Sequence, residues 1–161
     1  MTAEIGESFT IEPGDPEEAQ VARMLRRSEE YSHSLYPAES VHTLPMKQLK
    51  SPSVRFVVAR AHGSGDLLGC GAVVLGRDGC AEVKRMFVDE SARRRGVGAG
   101  VLEALELLVR AEGVGVIRLE TGTGQPEAVA LYRRFGYFER RPFGDYRDDP
   151  LSIFMEKSLD E

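Results

Sequence analysis

The segment at 93–100 constrains the fold of this chain most, because it places three arginines and three glycines between a strand pattern and a helix pattern. Residues 81–88, just before it, have the composition of a β-strand. From Val101, apolar residues recur at i, i+4 and i+7, which indicates an amphipathic helix capped by Gly113. Residues 114–120 form a second strand pattern. The sequence therefore predicts a strand-helix-strand unit whose two strands run parallel.

The other apolar runs predict antiparallel neighbours. Glycine turns at 63–65 and 76–79 join three successive strands in hairpins. The remaining predicted elements are an opening strand at 8–11, a helix from Asp15 and Pro16 to near Ser34, a lid-like segment at 37–50 with a short helix around 46–49, a helix from Pro126 to Gly136, and two last strands at 137–138 and 151–155. We expect an α/β fold with a mixed, mostly antiparallel sheet of six to seven strands, flanked by about four helices.

Length and charge narrow the class of protein. The 161 residues predict a single domain spanning 1–161. The formal net charge of −5 disfavours nucleic acid as a partner. The longest mostly apolar run, at 67–76, is well short of the about 18 residues that suggest a membrane span. Glu4 and Glu7 lie where a signal peptide is apolar. We expect a cytoplasmic protein that binds neither nucleic acid nor membrane.

The two cysteines favour neither a disulfide framework nor a metal site. With the hairpin turn at 76–79, Cys80 is expected opposite Leu75 and Cys70 opposite Arg85. Both cysteines are therefore predicted to be free thiols. The three histidines are scattered and show no metal-ligand spacing, so we expect no metal.

The glycine-rich segment points to an anion. A glycine turn lets the backbone approach a ligand closely, and the N-terminus of the following helix attracts a phosphate or pyrophosphate. The arginines at 93–95 add positive charge. No P-loop signature is present, and Val101 stands where a Rossmann motif that began with Gly96 and Gly98 needs its third glycine.

Three motifs in order resemble the GNAT N-acetyltransferase superfamily. Arg93, Gly96 and Gly98 match its acetyl-CoA-binding motif, in which Arg or Gln is followed by Gly three residues later and by Gly or Ala after two more. Residues 82–88 resemble the splayed fourth strand of the family, and residues 128–137 resemble its fourth helix. The resemblance implies the GNAT acyl-CoA N-acyltransferase fold and acetyl-CoA as co-substrate.

The resemblance also implies roles for individual residues. It places the pyrophosphate on the backbone N–H groups of 94–98 and the pantetheine arm beside Met86 and Val88, where an N–H holds the thioester oxygen. Tyr132 matches the tyrosine that gives a proton to the departing CoA thiolate. Gln125 stands where many members have Asn. The residues expected to contact acetyl-CoA are Met86, Phe87, Val88, Arg93, Arg94, Arg95, Gly96, Val97, Gly98, Ala99, Gln125 and Tyr132.

The attacking amine needs a base, because an alkylammonium of pKa ~10.4 cannot attack a thioester at neutral pH. Glu82 lies eleven residues before Arg93, the spacing at which histone-acetylating members carry their glutamate base. Glu120, at the end of the next predicted strand, is the alternative, and a water chain to either carboxylate is a third.

The acceptor groove is the least legible part of the sequence. An acidic loop with Asp145, Asp148 and Asp149 is expected to border it and could favour a cationic amine. Three ring-bearing residues could line the opposite wall, namely Tyr31, Tyr36 and His42.

The resemblance implies an N-acetyltransferase that moves an acetyl group from acetyl-CoA to a primary amine of a small molecule or a protein, by direct attack in a ternary complex. Two alternatives stay open. One is an acyltransferase for a larger acyl-CoA, and the other is a CoA-binding regulatory domain without catalysis. A homodimer formed through an edge strand is possible.

Overall fold

The computed structural model describes residues 9–160, which form one seven-stranded sheet in the order β1-β2-β3-β4-β5-β7-β6. Only β4 and β5 pair in parallel, and the other neighbours are antiparallel. The strands are β1 (Phe9–Pro13), β2 (Val54–Ala61), β3 (Leu67–Leu75), β4 (Cys80–Val88), β5 (Val116–Gly122), β6 (Phe138–Arg140) and β7 (Ser152–Ser158). The α-helices are α1 (Ala19–Leu35), α2 (Val97–Ala111) and α3 (Pro126–Arg134). Short 3₁₀ turns lie at Ala38–Ser40, Met46–Lys50 and Glu90–Ala92.

The mixed sheet and its parallel pair confirm the predicted fold class. The helix count is lower than the predicted four, because the described residues contain three α-helices and the short helix at Met46–Lys50 is a 3₁₀ turn. Among the described residues, no helix is long and apolar enough to cross a membrane. Ser8, at the start of the predicted opening strand, lies outside the described residues.

The first helix begins later than predicted. Asp15 does not cap α1, because its carboxylate accepts a hydrogen bond from the Glu17 N–H (2.9 Å) and its carbonyl accepts one from the Glu18 N–H (3.0 Å). These bonds close a separate turn, and Glu18 becomes the N-cap of α1. The cap residue therefore comes three positions after the predicted one, because the Asp side chain stabilises a turn as readily as a helix start.

The hairpin between β3 and β4 has a different register from the predicted one. Leu75 lies opposite Ala81 and not Cys80. The Gly76 N–H donates to the Cys80 carbonyl (2.8 Å) and closes the turn. The loop therefore holds one more residue than the predicted turn at 76–79. Both cysteines are nevertheless free thiols.

A β-bulge then shifts β4 by another residue. Gly71 of β3 faces two residues of β4, Arg85 and Met86, and Arg85 has a φ of 62°. Cys70 therefore lies opposite Phe87 rather than opposite Arg85, as predicted. A bulge leaves no hydrophobic signature in the sequence, and it redirects the side chains that follow it.

Parallel pairing between β4 and β5 is confined to the beginning of the two strands. It joins Cys80 to Val116, Ala81 to Ile117 and Glu82 to Arg118. Beyond this point β5 stays paired with β7 along its whole length, whereas β4 follows β3. The sheet therefore opens between β4 and β5.

Two hydrophobic clusters cover the two faces of this sheet, because successive strand residues point to opposite sides. On one face α2 buries Val101, Leu102 and Leu105 against β2, β3 and β4. On the other face α1 buries Met24 and Leu25 against β2 and β3. The opening between β4 and β5 lies between these two packed layers.

A buried ionic contact fixes α2 to β7. Glu106 of α2 has a side chain that is 5% exposed, and it accepts hydrogen bonds from Lys157 Nζ (2.9 Å) and from the Tyr137 hydroxyl (2.8 Å). Burial and the Glu106 carboxylate raise the pKa of Tyr137, so the phenol stays protonated and donates. Removal of Glu106 takes this hydrogen-bond partner from both Lys157 and Tyr137.

Glu106→Ala is expected to lower the free energy of unfolding by about 3 kcal/mol, because it leaves the half-buried Lys157 ammonium and the buried Tyr137 hydroxyl without their carboxylate partner. Glu103→Ala is the matched control, because Glu103 lies on the same helix but is exposed, and its loss should stay within about 0.5 kcal/mol. Urea unfolding measures both values. Equal losses in the two variants would contradict this account of the Glu106 contact.

Candidate active site

A cavity of about 570 Å³ opens where β4 and β5 separate. Residues 86–88 of β4, 119–122 of β5 and 96–99 at the start of α2 line it. Of the twelve residues predicted to contact acetyl-CoA, all but Arg95 line this cavity. Arg95 lines a separate surface depression beside Asp89.

Val88 presents an unpaired strand edge to this cavity. The Asp89 N–H donates to the Leu68 carbonyl (2.8 Å), and Val88 lies opposite Gly69. In an antiparallel pair hydrogen-bonded and non-hydrogen-bonded positions alternate, so the N–H and C=O of Val88 point away from β3. Within 9–160 no strand pairs with this edge after Glu82. An extended ligand can add here in the way that a strand does.

The loop before α2 has the geometry of an anion-binding turn. Arg94 has a φ of 67° and Gly96 a φ of 80°, so left-handed residues alternate with extended or helical ones ahead of Val97, the first residue of α2. Such a backbone directs successive N–H groups to one side, where the positive end of the helix dipole adds to their field. Gly98 packs closely against α3, because a Cβ there would lie 3.2 Å from Leu131 Cδ2.

Three arginines give this end of the cavity its positive charge. Arg93, Arg94 and Arg134 line it, and the guanidinium of Arg93 lies 5.4 Å from the centre of the Tyr31 ring. A ring face holds a guanidinium in place without neutralising it. The predicted pyrophosphate position therefore combines oriented N–H groups with cations, and these residues fit the phosphates of acetyl-CoA.

Tyr132 lies on α3 at the inner end of the cavity. It is buried, and its ring packs against Tyr137 with the centroids 5.8 Å apart. Burial, and to a smaller degree the Glu120 carboxylate, raises the pKa of Tyr132. The hydroxyl is therefore held in its neutral, proton-donating form.

Glu120 on β5 also lines the cavity. Its carboxylate accepts a hydrogen bond from the Ser152 hydroxyl (2.8 Å). Burial raises the pKa of Glu120 above its ordinary value, and the charge of Glu82 acts in the same direction, while Ser152 and Lys84 oppose the rise. A carboxylate with this shift is a stronger base than an exposed one.

Glu82, the other predicted base, is not among the residues that line the cavity. Its Oε2 accepts a hydrogen bond from the Tyr146 hydroxyl (2.6 Å), and Lys84 Nζ lies 3.7 Å from the same oxygen. This oxygen of Glu82 is therefore already engaged by Tyr146 and Lys84. Sequence reasoning missed Tyr146, because it lies in an irregular loop and meets Glu82 across 64 positions of the chain.

Three hydrogen bonds join Tyr36 and Ser40, which line the cavity, to neighbouring loops. The Tyr36 hydroxyl accepts a bond from the Gly124 N–H and donates one to Gln125 Oε1, both at 3.1 Å. The Ser40 hydroxyl donates to Asp149 Oδ2 (2.6 Å), and this bond lowers the pKa of Asp149. The segment after α1 is thereby tied to the loops that follow β5 and β6.

The predicted acceptor residues fall into two groups. Tyr31, Tyr36 and His42 line the cavity. Of the acidic loop, Asp149 forms the bond to Ser40, whereas Asp145 and Asp148 are exposed.

Residues 19–137 match the acetyltransferase (GNAT) family. The chain belongs to the GNAT family. It is 44% identical over 153 residues to the "IAA acetyltransferase" of Azospirillum brasilense, a match that covers 94% of this chain and 99% of the relative. It is 36% identical over 137 residues to the uncharacterized N-acetyltransferase YsnE of Bacillus subtilis, which covers 81% of this chain and 88% of that one.

Solved structures agree with this assignment. A Klebsiella pneumoniae protein described as an acyl-CoA N-acyltransferase superposes with a TM-score of 0.78 at 35% identity, over 94% of this chain and 97% of that one. The PaiA N-acetyltransferase of Thermoplasma acidophilum, solved in complex with coenzyme A, shares the fold with a TM-score of 0.71 at 16% identity, over 94% of this chain and 99% of that one. This GNAT protein is therefore an acyl-CoA-dependent N-acetyltransferase.

Gly96→Ala is expected to weaken CoA binding by this GNAT enzyme by about tenfold and to cost about 1–2 kcal/mol of stability, because its left-handed φ disfavours a Cβ. Gly113→Ala is the matched control. Gly113 has a similar φ of 76°, and a Cβ at either position meets nothing within 4 Å, but Gly113 follows the far end of α2.

Titration calorimetry with CoA and urea unfolding, applied to both variants, separate strain from binding. Both variants should lose stability, and only Gly96→Ala should lose affinity. Equal CoA affinity in the two variants would show that the loop before α2 does not hold the phosphates.

Proposed function

We propose that this enzyme transfers an acetyl group from acetyl-CoA to a primary amine by direct attack in a ternary complex. One observation carries the proposal. A single cavity between β4 and β5 brings together the open edge at Val88, the loop at 93–98, the Tyr132 hydroxyl and the Glu120 carboxylate. These are a strand-like docking edge, an anion site, a proton donor and a base.

The loop and the strand edge bind the co-substrate. The N–H groups of 94–98 and the arginines beside them hold the pyrophosphate. The edge of β4 at Met86 and Val88 pairs with the extended pantetheine arm. The Val88 N–H stabilises the negative charge that develops on the thioester oxygen, because a fixed dipole in a water-poor site needs no reorganisation.

Glu120 is the better placed of the two candidate bases. Deprotonation of an alkylammonium costs about 4 kcal/mol at pH 7.4, so a nearby acceptor for the proton accelerates the reaction. Glu120 lines the cavity, and its raised pKa brings its basicity closer to neutrality. Glu82 lies outside the lining and already accepts the Tyr146 hydroxyl. We assign the base to Glu120, acting directly or through one water.

Tyr132 acts on the leaving sulfur. Attack forms the C–N bond and breaks the C–S bond, so negative charge moves onto sulfur while the amine gives up a proton. The raised pKa of Tyr132 disfavours a lasting tyrosinate. Tyr132 donates its hydroxyl hydrogen to the departing thiolate as the C–S bond breaks, and the proton that the amine gives to Glu120 returns to the tyrosine oxygen. The products are an amide and a thiol.

Tyr132→Phe tests the proposed function. We expect kcat to fall by about 10²–10³-fold while acetyl-CoA affinity stays within about threefold, since the variant loses only a proton donor. Thiol release in the presence of a panel of amines gives kcat, and calorimetry gives affinity. A wild-type protein that binds acetyl-CoA but releases no thiol with any amine would contradict the proposal and favour a regulatory CoA-binding role.

Glu120→Gln is expected to lower kcat/KM at neutral pH by about 10²-fold. In the wild-type enzyme kcat/KM should rise as the pH increases through the raised pKa of Glu120, because only the carboxylate accepts a proton. The variant should lose this acidic limb of the profile.

Glu82→Gln is the control for this prediction, and its kcat/KM should change by less than about threefold with the acidic limb retained. The measurement is kcat/KM for one amine across pH 5–9. Loss of the limb in Glu82→Gln and its retention in Glu120→Gln would reverse the assignment of the base.

A further inference from the structure

Lys84 carries a positive charge on the acceptor side of the cavity. Its side chain is 14% exposed and lines the cavity. Its ammonium donates hydrogen bonds to the His42 carbonyl (2.7 Å) and to the Tyr146 hydroxyl (2.9 Å). Both acceptors are neutral, and an ammonium has three hydrogens. These two bonds fix the position of the charge without neutralising it.

The nearest carboxylate does not take up this charge by a hydrogen bond. Glu82 Oε2 lies 3.7 Å from Lys84 Nζ, beyond hydrogen-bond distance, and it accepts the Tyr146 hydroxyl at 2.6 Å. The adjacent Arg85 is different. Its side chain is 2% exposed, and it donates hydrogen bonds to the Glu29 carboxylate (2.6 Å) and to backbone carbonyls such as that of Leu44 (2.9 Å). Of these two neighbouring cations, Lys84 is therefore the one that can bind a ligand.

Glu120 faces the same space with the opposite charge. Both side chains line the cavity, and they are close enough for the positive charge of Lys84 to act on the Glu120 carboxylate. A simple alkylamine would engage only Glu120 and would leave the ammonium of Lys84 with Glu82, 3.7 Å away and beyond hydrogen-bond distance, as its nearest carboxylate. A ligand with an amine and a carboxylate a few bonds apart would satisfy both.

The enclosure of the site limits the size of the acceptor. Two lining residues are tied to neighbouring loops. Tyr36 is hydrogen-bonded to Gly124 and Gln125, and Ser40 is hydrogen-bonded to Asp149. Gly122 beneath Tyr36 has no room for a Cβ, which shows how closely the phenol packs there. These contacts favour a small molecule over a polypeptide as the acceptor.

We propose that the acceptor is a small amino acid-like molecule, bound with its carboxylate on Lys84 and its amine beside Glu120. The inference rests on the proposed acetyl transfer and adds the class of substrate. The amine nitrogen forms the new C–N bond as the C–S bond breaks, its proton passes to Glu120, and the thiol leaves protonated. The product is an N-acetyl amino acid.

The test is an acceptor panel in matched sets. Each standard L-amino acid, together with β-alanine and 4-aminobutyrate, is assayed beside its carboxamide and its carboxylate-free amine, with thiol release as the readout. We expect the best acceptor to exceed its carboxamide in kcat/KM by at least tenfold. In Lys84→Met that preference should vanish, through a rise in KM for the acceptor that carries the carboxylate.

Lys47→Met is the matched control, because Lys47 is exposed and does not line the cavity. It should keep the preference. Lys84→Gln, together with the acetyl-CoA affinity of each variant, separates a folding defect from a recognition defect. A variant that still binds acetyl-CoA and acetylates the carboxamide is folded.

Three results would overturn the inference. One is acetylation of carboxylate-free amines such as polyamines with no amino acid used. Another is equal use of amino acids and their carboxamides by the wild-type enzyme. The third is a preference for the carboxylate that survives in Lys84→Met. Each of these leaves acetyl transfer intact, whereas binding of acetyl-CoA with no amine acetylated at all contradicts the proposed function itself.

Discussion

The early end of parallel pairing between β4 and β5 is the constraint on which the rest of the site depends. Pairing stops at Glu82 and Arg118, and from there each strand follows a different antiparallel partner. The separation exposes a backbone edge at Val88 and opens the cavity. Hydrophobic clusters cover the sheet on both of its faces. The bulge at Arg85 acts at the same place, because it adds a residue to β4 just where the strand turns away from β5.

Charge is distributed around this opening in two ways. Where a charged group serves the fold, its partner is hydrogen-bonded to it, as in Glu106 with Lys157 and Arg85 with Glu29. In the cavity Glu120 accepts a hydrogen bond from a serine hydroxyl, and Lys84 donates to a carbonyl and a phenol, with the Glu82 carboxylate 3.7 Å away. A group that keeps its charge against neutral neighbours is costly to the fold, and such groups concentrate where ligands bind.

Local patterns predict much of this fold, and long-range contacts limit the prediction. The βαβ unit, the loop at 93–98 and the position of Tyr132 follow from periodicity, glycine placement and family motifs over short stretches of chain. The choice between Glu82 and Glu120 does not, because it depends on Tyr146, which reaches β4 from a loop 64 positions away. The predicted β3–β4 register was wrong at two places, because the turn holds one more residue than 76–79 and a bulge follows at Arg85. The extra residue at Arg85 has no hydrophobic signature, so counting from the turn could not reveal it.

The central claim is that the co-substrate docks along the open edge of β4, and amide hydrogen exchange at Val88 tests it most directly. The Val88 N–H has no strand partner among residues 9–160, so it should exchange quickly in the ligand-free protein. Saturating acetyl-CoA should slow this exchange by at least about tenfold, together with the amides of 94–98. ATP, which has phosphates but no pantetheine, should protect the loop alone. Unchanged exchange at Val88 with acetyl-CoA bound would contradict the account.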